Sequence, residues 1–157
     1  MSKTETLSRC SLFSGFTDVG LTIISSIAEE KKLRAGTPIF VEGMVGESLY
    51  ILMSGDVSLL IRDEAGSERE VGRIAPFEAF GELALLGEGT RLASTKTKTD
   101  CVLLEIQRKD FNRLQKKKPQ ACLKLLMAIV HSFSQRLDDN RDAWKQVLLS
   151  ASEGALR

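Results

Sequence analysis

The chain of 157 residues carries 22 basic and 21 acidic side chains, which leaves a formal net charge of +1. A chain of this length can bury a core without disulfides, and its 43% hydrophobic and 27% charged residues exclude wholesale disorder. The balanced charge gives no global reason to expect nucleic-acid binding, so any anion site must be local.

The N-terminal part of the single expected domain, residues 1–30, is predicted to be helical. Apolar residues between Asp18 and Lys32 recur at helical spacing, and Thr17 and Asp18 are capping candidates. Upstream, SLFSGF carries two phenylalanines that can dock a short helix onto the rest of the chain. The first residues lack the apolar core of a signal peptide, and no segment has the roughly 18 apolar residues of a membrane span. We therefore expect a cytoplasmic protein with no membrane partner.

Residues 31–107 are predicted to be β structure. Seven or eight short apolar runs are separated by glycines, and runs so closely spaced leave no room for crossover helices. The sequence DEAG, Asp63–Gly66, lies between two of these runs and predicts a hairpin. This pattern indicates an antiparallel sandwich or barrel.

Residues 108–150 return to helical periodicity. A short amphipathic segment ends in three lysines, and Pro119 then begins a second helix that is predicted to run for about thirty residues. Its first half is expected to pack on the sheet. Beyond Leu137 we expect a partner helix, hence a homodimer in which Asn140 sets the register. The heptad seam consists of Leu126, Val130, Phe133, Leu137, Asn140, Trp144 and Val147.

Several kinds of chemistry find no support in the sequence. The single histidine, His131, excludes a cupin-type metal enzyme with its cluster of imidazoles. The cysteines at positions 10, 101 and 122 have no CxxC spacing, which argues against a zinc site or a disulfide framework and favours a reducing cytosol. Phosphate-loop and hydrolase motifs are missing from the sequence. We therefore expect no enzyme, no catalytic residues and no metal.

The stretch FGELALLGEGTRLAST, Phe80–Thr95, is the strongest candidate for an anion site. A helical turn at Gly81–Ala84 would direct free backbone amides at a phosphate, and Arg91 would add a guanidinium. Glu82 cannot bind phosphate, but it can accept a hydrogen bond from a sugar hydroxyl. These preferences describe a nucleotide with its phosphate close to its ribose. The spacing alone leaves a second interpretation open, a direct ion pair between Glu82 and Arg91.

These segments resemble the cyclic nucleotide-binding domain family, which includes the bacterial catabolite activator protein and the regulatory subunits of cyclic-AMP-dependent kinase. FGELALLGEGTRLAS resembles the phosphate-binding cassette of the family, and LRAGTPIFVEGMVGESLYILMSGDVSLLI resembles its first sheet half. The resemblance covers roughly residues 12–139. It implies a mainly β fold, an eight-stranded antiparallel β-roll of the jelly-roll type, with N-terminal helices and a long C-terminal helix.

The resemblance also implies a ligand and the residues that bind it. Glu82 would bind the ribose 2′-hydroxyl and Arg91 the cyclic phosphate, while Gly81 would permit close approach. Family members that prefer cyclic GMP tend to have threonine at the position of Leu92, so cyclic AMP is the expected ligand over cyclic GMP. The other implied contacts are the amides of Leu83, Ala84, Leu92 and Ala93, the base-flanking Leu59 and Val71, and the lid candidates Arg136 and Asn140.

Two hypotheses for the function follow. The first is a sensor that binds a cyclic nucleotide and signals to an effector protein through its C-terminal helix. Because the family's helix-turn-helix is missing after this helix, the sensor is not expected to bind nucleic acid directly. The alternative is a scaffold of the same fold that binds no nucleotide, in which Glu82 pairs with Arg91 and Leu92 fills the cavity.

Overall fold

A computed structural model describes residues 1–155 of the chain. It contains five α-helices, two 3-10 helices (Ser11–Phe13 and Glu82–Leu85) and eight β-strands. The α-helices are α1 (Lys3–Arg9), α2 (Asp18–Ser25), α3 (Arg108–Lys117), α4 (Pro119–Asp139) and α5 (Arg141–Ala155). The strands are β1 (Ala28–Leu33), β2 (Pro38–Phe40), β3 (Ser48–Ser54), β4 (Val57–Arg62), β5 (Glu68–Ile74), β6 (Ala79–Phe80), β7 (Ser94–Thr97) and β8 (Cys101–Gln107).

The eight strands form two four-stranded antiparallel sheets, in the orders β1-β8-β3-β6 and β2-β7-β4-β5. Strands β3 and β8 are largely buried, and their inner residues pack with those of α2 and α4 in the main core. This arrangement confirms the predicted roll with its flanking helices. The hairpin at Asp63–Gly66 is confirmed too, since Gly66 donates to the Asp63 carbonyl at 2.9 Å with a φ of +82°.

The predicted N-terminal helix is wrong at its C-terminal end. Helix α2 begins where expected, with the Thr17 side chain accepting from the Gly20 amide at 3.2 Å, but it ends at Ser25. Residues 28–33 form strand β1 instead, so the roll starts before residue 31. All six residues of β1 pair with β8, which satisfies backbone groups that a helix would otherwise have bonded within itself.

The predicted thirty-residue helix is divided in two at Asn140. This residue leaves the helical region with φ −111° and ψ 29°, and both its backbone amide and its side-chain amide donate to the Arg136 carbonyl. Side chains of Asn and Asp compete with helical hydrogen bonds in this way, and Asn140 follows two aspartates. Helix α4 buries Cys122, Leu125 and Ile129 against the roll, whereas every described side chain of α5 is exposed.

No helix within residues 1–155 combines the length and the apolar character needed to cross a bilayer.

Candidate functional site

A cavity of about 590 Å³ lies between the roll and helix α4. One wall is the segment between β6 and β7, residues 81–93, which we call the cassette. Leu59 of β4 and Ile74 of β5 provide an apolar wall, and Ser132 and Arg136 of α4 face the same space. The first 3-10 helix contributes Ser11 and Leu12.

Arg91 is the buried cation of the cavity, with only 9% of its surface exposed. Its Nη1 donates to the Gly81 carbonyl at 3.0 Å and its Nη2 to the Ser48 carbonyl at 2.7 Å, while the guanidinium carbon lies 3.9 Å from the centre of the Phe40 ring. Its Nε has no hydrogen-bond partner, and no carboxylate lies within 4.0 Å in the part of the chain that the structure describes. Arg91 is therefore a buried cation without a neutralising carboxylate, and its Nε is a buried donor without a partner.

The surroundings of Arg91 explain two glycines. A Cβ on Gly81 would lie 2.6 Å from Arg91 Nη1, and a Cβ on Gly46 would lie 2.9 Å from Arg91 Nε. Gly81 also adopts a φ of +69°, where side chains are disfavoured, and from there the 3-10 helix Glu82–Leu85 begins. Burial lowers the pKa of Arg91, but arginine stays charged at neutral pH.

Glu82 faces the same cavity and is 6% exposed. Its Oε1 accepts a hydrogen bond from Nη2 of Arg136 on α4, so the buried carboxylate is paired with a cation 54 residues away. The direct Glu82–Arg91 ion pair that the sequence left open is not formed among the described residues. Leu92, 79% exposed at the cavity rim, does not fill the cavity either. The two features expected of the scaffold alternative are thus missing from residues 1–155.

The structure brings nine of the eleven predicted site residues to the cavity: Leu59, Gly81, Glu82, Leu83, Ala84, Arg91, Leu92, Ala93 and Arg136. Of the predicted amide donors, that of Ala84 already donates to the Gly81 carbonyl at 3.2 Å. The cassette is held at its other end by the Arg91 amide, which donates to the Met44 carbonyl at 2.7 Å.

Val71 and Asn140 lie outside the cavity. Val71 is 55% exposed. Leu59 pairs with Gly72, so Gly72 and Ile74 share the cavity face of β5, and Val71, next to Gly72, lies on the opposite face. Ile74 lines the apolar wall instead. The Asn140 side chain is bound to the Arg136 carbonyl at the break between α4 and α5.

Comparison with known proteins identifies the kind of domain. The family model described as "Cyclic nucleotide-binding domain" matches residues 30–118, more than half of the chain.

The chain belongs to the cyclic nucleotide-binding domain family.

Among curated relatives, the cyclic AMP receptor protein of Thermus thermophilus is 35% identical over 108 residues, which cover 69% of this chain and 50% of the relative. The chain therefore spans about half the length of that relative. Among solved structures, the N-terminal domain of a transcriptional regulator from Streptomyces coelicolor superposes with a TM-score of 0.76 at 28% identity, covering 85% of this chain and 95% of that one. The regulatory domain of Toxoplasma gondii PKA, solved with cAMP, gives a TM-score of 0.65 at 35% identity, covering 71% and 42%.

This cyclic nucleotide-binding domain also uses residues that sequence reasoning missed. Arg108, at the start of α3, donates through Nη1 to the carbonyls of Gly46, Ala84 and Gly87 at 2.7, 3.0 and 2.9 Å. It thereby ties the cassette to the loop after β2. The ring of Phe40 packs against the guanidinium of Arg91. No local pattern marks either residue, because both act on atoms more than twenty residues away.

Proposed function

We propose that the protein acts as one domain that binds a cyclic nucleotide, cyclic AMP in preference to cyclic GMP, and passes the binding state to a partner protein. The observation that carries this proposal is that Arg91 is buried without a carboxylate partner. A buried guanidinium with no carboxylate partner and an unpaired, buried Nε lines a cavity large enough for a mononucleotide. Burying an unpaired charge is costly, so such a site is best completed by an anionic ligand.

The residues that line the cavity can be assigned to the phosphate, the ribose and the base of a nucleotide. Arg91 and the cassette amides would bind the cyclic phosphate, and Glu82, on the same wall, would accept from the ribose 2′-hydroxyl. Leu59 and Ile74 offer an apolar surface to the base. The preference for cyclic AMP rests on Leu92, which has no hydroxyl for guanine. The Toxoplasma relative that was solved with cAMP, 35% identical, supports the same ligand class.

Thermal unfolding with added nucleotide tests the proposal. Cyclic AMP at about one hundred times its dissociation constant is expected to stabilise the folded protein by about 2.7 kcal/mol. Cyclic GMP at the same concentration is expected to stabilise it less, and 5′-AMP, which lacks the cyclic phosphate, serves as the control. If neither cyclic nucleotide raises the midpoint of unfolding, the proposed function is wrong and the scaffold hypothesis gains.

The C-terminal helices are proposed to form a homodimer and to carry the output signal to an unidentified effector. Helix α4 exposes an apolar stripe on the side away from the roll, and α5 exposes a second one. Contiguous apolar stripes on exposed helix faces mark surfaces to which a protein partner binds. The exposed apolar side chains are Leu123, Met127, Val130, Phe133, Trp144, Val147, Leu148 and Leu149.

Analytical ultracentrifugation at micromolar concentration is expected to show a dimer. Val130→Glu should shift the protein to a monomer, because two like charges would face each other across a two-fold seam. Val41→Glu, at an exposed position after β2 and away from the C-terminal helices, is the matched control and should remain dimeric. A monomer of the unmodified protein, or a dimer of the Val130 variant, would contradict this interface.

A further inference from the structure

We propose that a groove between helices α2 and α4 is the docking site for the effector protein, and that the effector contributes an acidic amphipathic helix. This inference rests on the proposed function, since it names the chemistry of the partner to which the binding state is passed. The groove is separate from the nucleotide cavity and uses an earlier part of α4.

The groove has a volume of about 530 Å³ and a largely apolar lining. Val19 and Ile23 of α2 form one side of it. Leu123 and Met127 of α4 form the other side. Val19, Leu123 and Met127 are 70%, 58% and 62% exposed. Exposed apolar side chains that line a concave surface mark a site to which another protein binds.

The positive charge of the chain is concentrated beside this groove. Residues 108–124 contain seven of the 22 basic residues and one of the 21 acidic residues, so the other 140 residues carry 15 basic and 20 acidic side chains. Lys124 lines the groove and is the one charged residue among the described residues that do so. Lys118 lies two residues before Gln120, which lines the groove as well. A nearly neutral molecule therefore has a strongly basic region at the groove.

The basic residues do more than complement the dipole of α3. Lys109, Arg113 and Lys116 are spaced by four and three residues, so they share one exposed face of α3. The helix dipole favours lysines in the last turn, but it does not explain Lys109, or Lys124 on the next helix. Within residues 1–155, Arg113 pairs with Asp110 at 3.6 Å, and the other cations of this face form no salt bridge. Cations at this density repel one another, and an acidic partner relieves the repulsion.

The shape of the groove favours a helix over a flat anionic surface such as a membrane. Its apolar residues line a concavity between two helices, into which one row of side chains of a third helix can insert. Carboxylates beside that row would then face Lys118 and Lys124.

Helix α4 connects the groove to the nucleotide cavity. Met127 lines the groove, and Arg136, nine residues later and about 14 Å along the same helix, lines the cavity. A shift of α4 on nucleotide binding would therefore change the groove as well.

Fluorescence anisotropy with a labelled synthetic peptide tests the docking site. The peptide has about 14 residues, with leucine at helical positions i, i+3, i+4 and i+7, glutamate beside them and alanine elsewhere. It is expected to bind the unmodified protein, and about tenfold more weakly when lysine replaces the glutamates or serine the leucines. The measurement is made without nucleotide, so a failure here and a failure of nucleotide binding remain separate results.

Matched variants locate the peptide on the protein. Val19→Glu and Lys118→Glu should each weaken binding at least about fivefold. Val41→Glu and Arg62→Glu make the same changes of charge at exposed positions outside the groove, and they should bind within about twofold of the unmodified protein.

Four outcomes would overturn the assignment. No binding of the acidic peptide, or equal binding of the acidic and lysine peptides, would remove the basic groove as a docking site for an acidic helix. Displacement of the peptide by phosphatidylserine vesicles would make this surface a membrane contact. A monomer of Val19→Glu in the ultracentrifuge would mean that a second copy of the chain covers the groove.

Discussion

Replacing Arg91 with alanine is expected to weaken cyclic AMP binding by at least about 100-fold. A hydrogen bond to a charged group contributes about 1.5–3 kcal/mol, and the guanidinium can make two to a phosphate, so a loss of roughly 3–6 kcal/mol corresponds to a factor of 10² or more. Alanine also removes the hydrogen bonds that Arg91 donates to the carbonyls of Gly81 and Ser48. These two bonds hold the cassette in place against β3. Isothermal titration calorimetry of the unmodified protein and the variant measures this effect.

Two further variants isolate the role of Arg91. Arg91→Lys keeps the charge but cannot reach both carbonyls and the phosphate at once, so we expect an affinity between those of the unmodified protein and the alanine variant. Arg62→Ala, at an exposed position of β4, controls for the loss of one positive charge and should bind normally. Equal heats of binding in the unmodified protein and Arg91→Ala would remove Arg91 from the site.

The second large effect is expected at Gly55, in the turn between β3 and β4. Its φ is +101°, and a Cβ would lie 2.5 Å from Cys101 Sγ and 2.6 Å from the Asp100 carbonyl oxygen. We expect Gly55→Ala to lower the free energy of unfolding by about 3 kcal/mol or more, because backbone strain of about 1–3 kcal/mol adds to a clash with backbone atoms. Urea denaturation followed by circular dichroism measures the loss.

Gly66 provides the matched control for this prediction. It has a φ of +82° in the β4–β5 hairpin, but a Cβ at this position would meet no atom within 4 Å beyond its immediate chain neighbours. Gly66→Ala should therefore show the backbone strain alone, about 1–2 kcal/mol. Equal losses in the two variants would mean that the contact with Cys101 is relieved at little cost.

The sequence predicted the features that arise from local patterns. Short apolar runs separated by glycines indicated the two antiparallel sheets, and Pro119 marked the start of α4. The cassette motif located Gly81, Glu82 and Arg91 together, and the structure places all three on one cavity. A single sequence is enough to recognise these features, because turns, helix starts and close backbone contacts each require particular residue types.

The features that failed depend on distant parts of the chain. Strand β1 replaces the end of a helix because β8 supplies its hydrogen-bond partners, from Ile106 opposite Ala28 to Cys101 opposite Leu33. Val71 lies outside the cavity because the register of β5 against β4 places Gly72, and not Val71, opposite Leu59. The ion pair between Glu82 and Arg136 was not predicted at all, since the approach of α4 to the cassette creates it.

The break at Asn140 makes a joint between α4 and α5. The Arg136 carbonyl accepts from Asn140 at this joint, while the Arg136 side chain ends on Glu82. The 15 residues of α5 form a lever about 22 Å long at about 1.5 Å per residue. A rotation of roughly ten degrees at the joint would move its far end by about 4 Å, so even a small change of angle at Asn140 would displace the end of α5 by about the diameter of a methyl group.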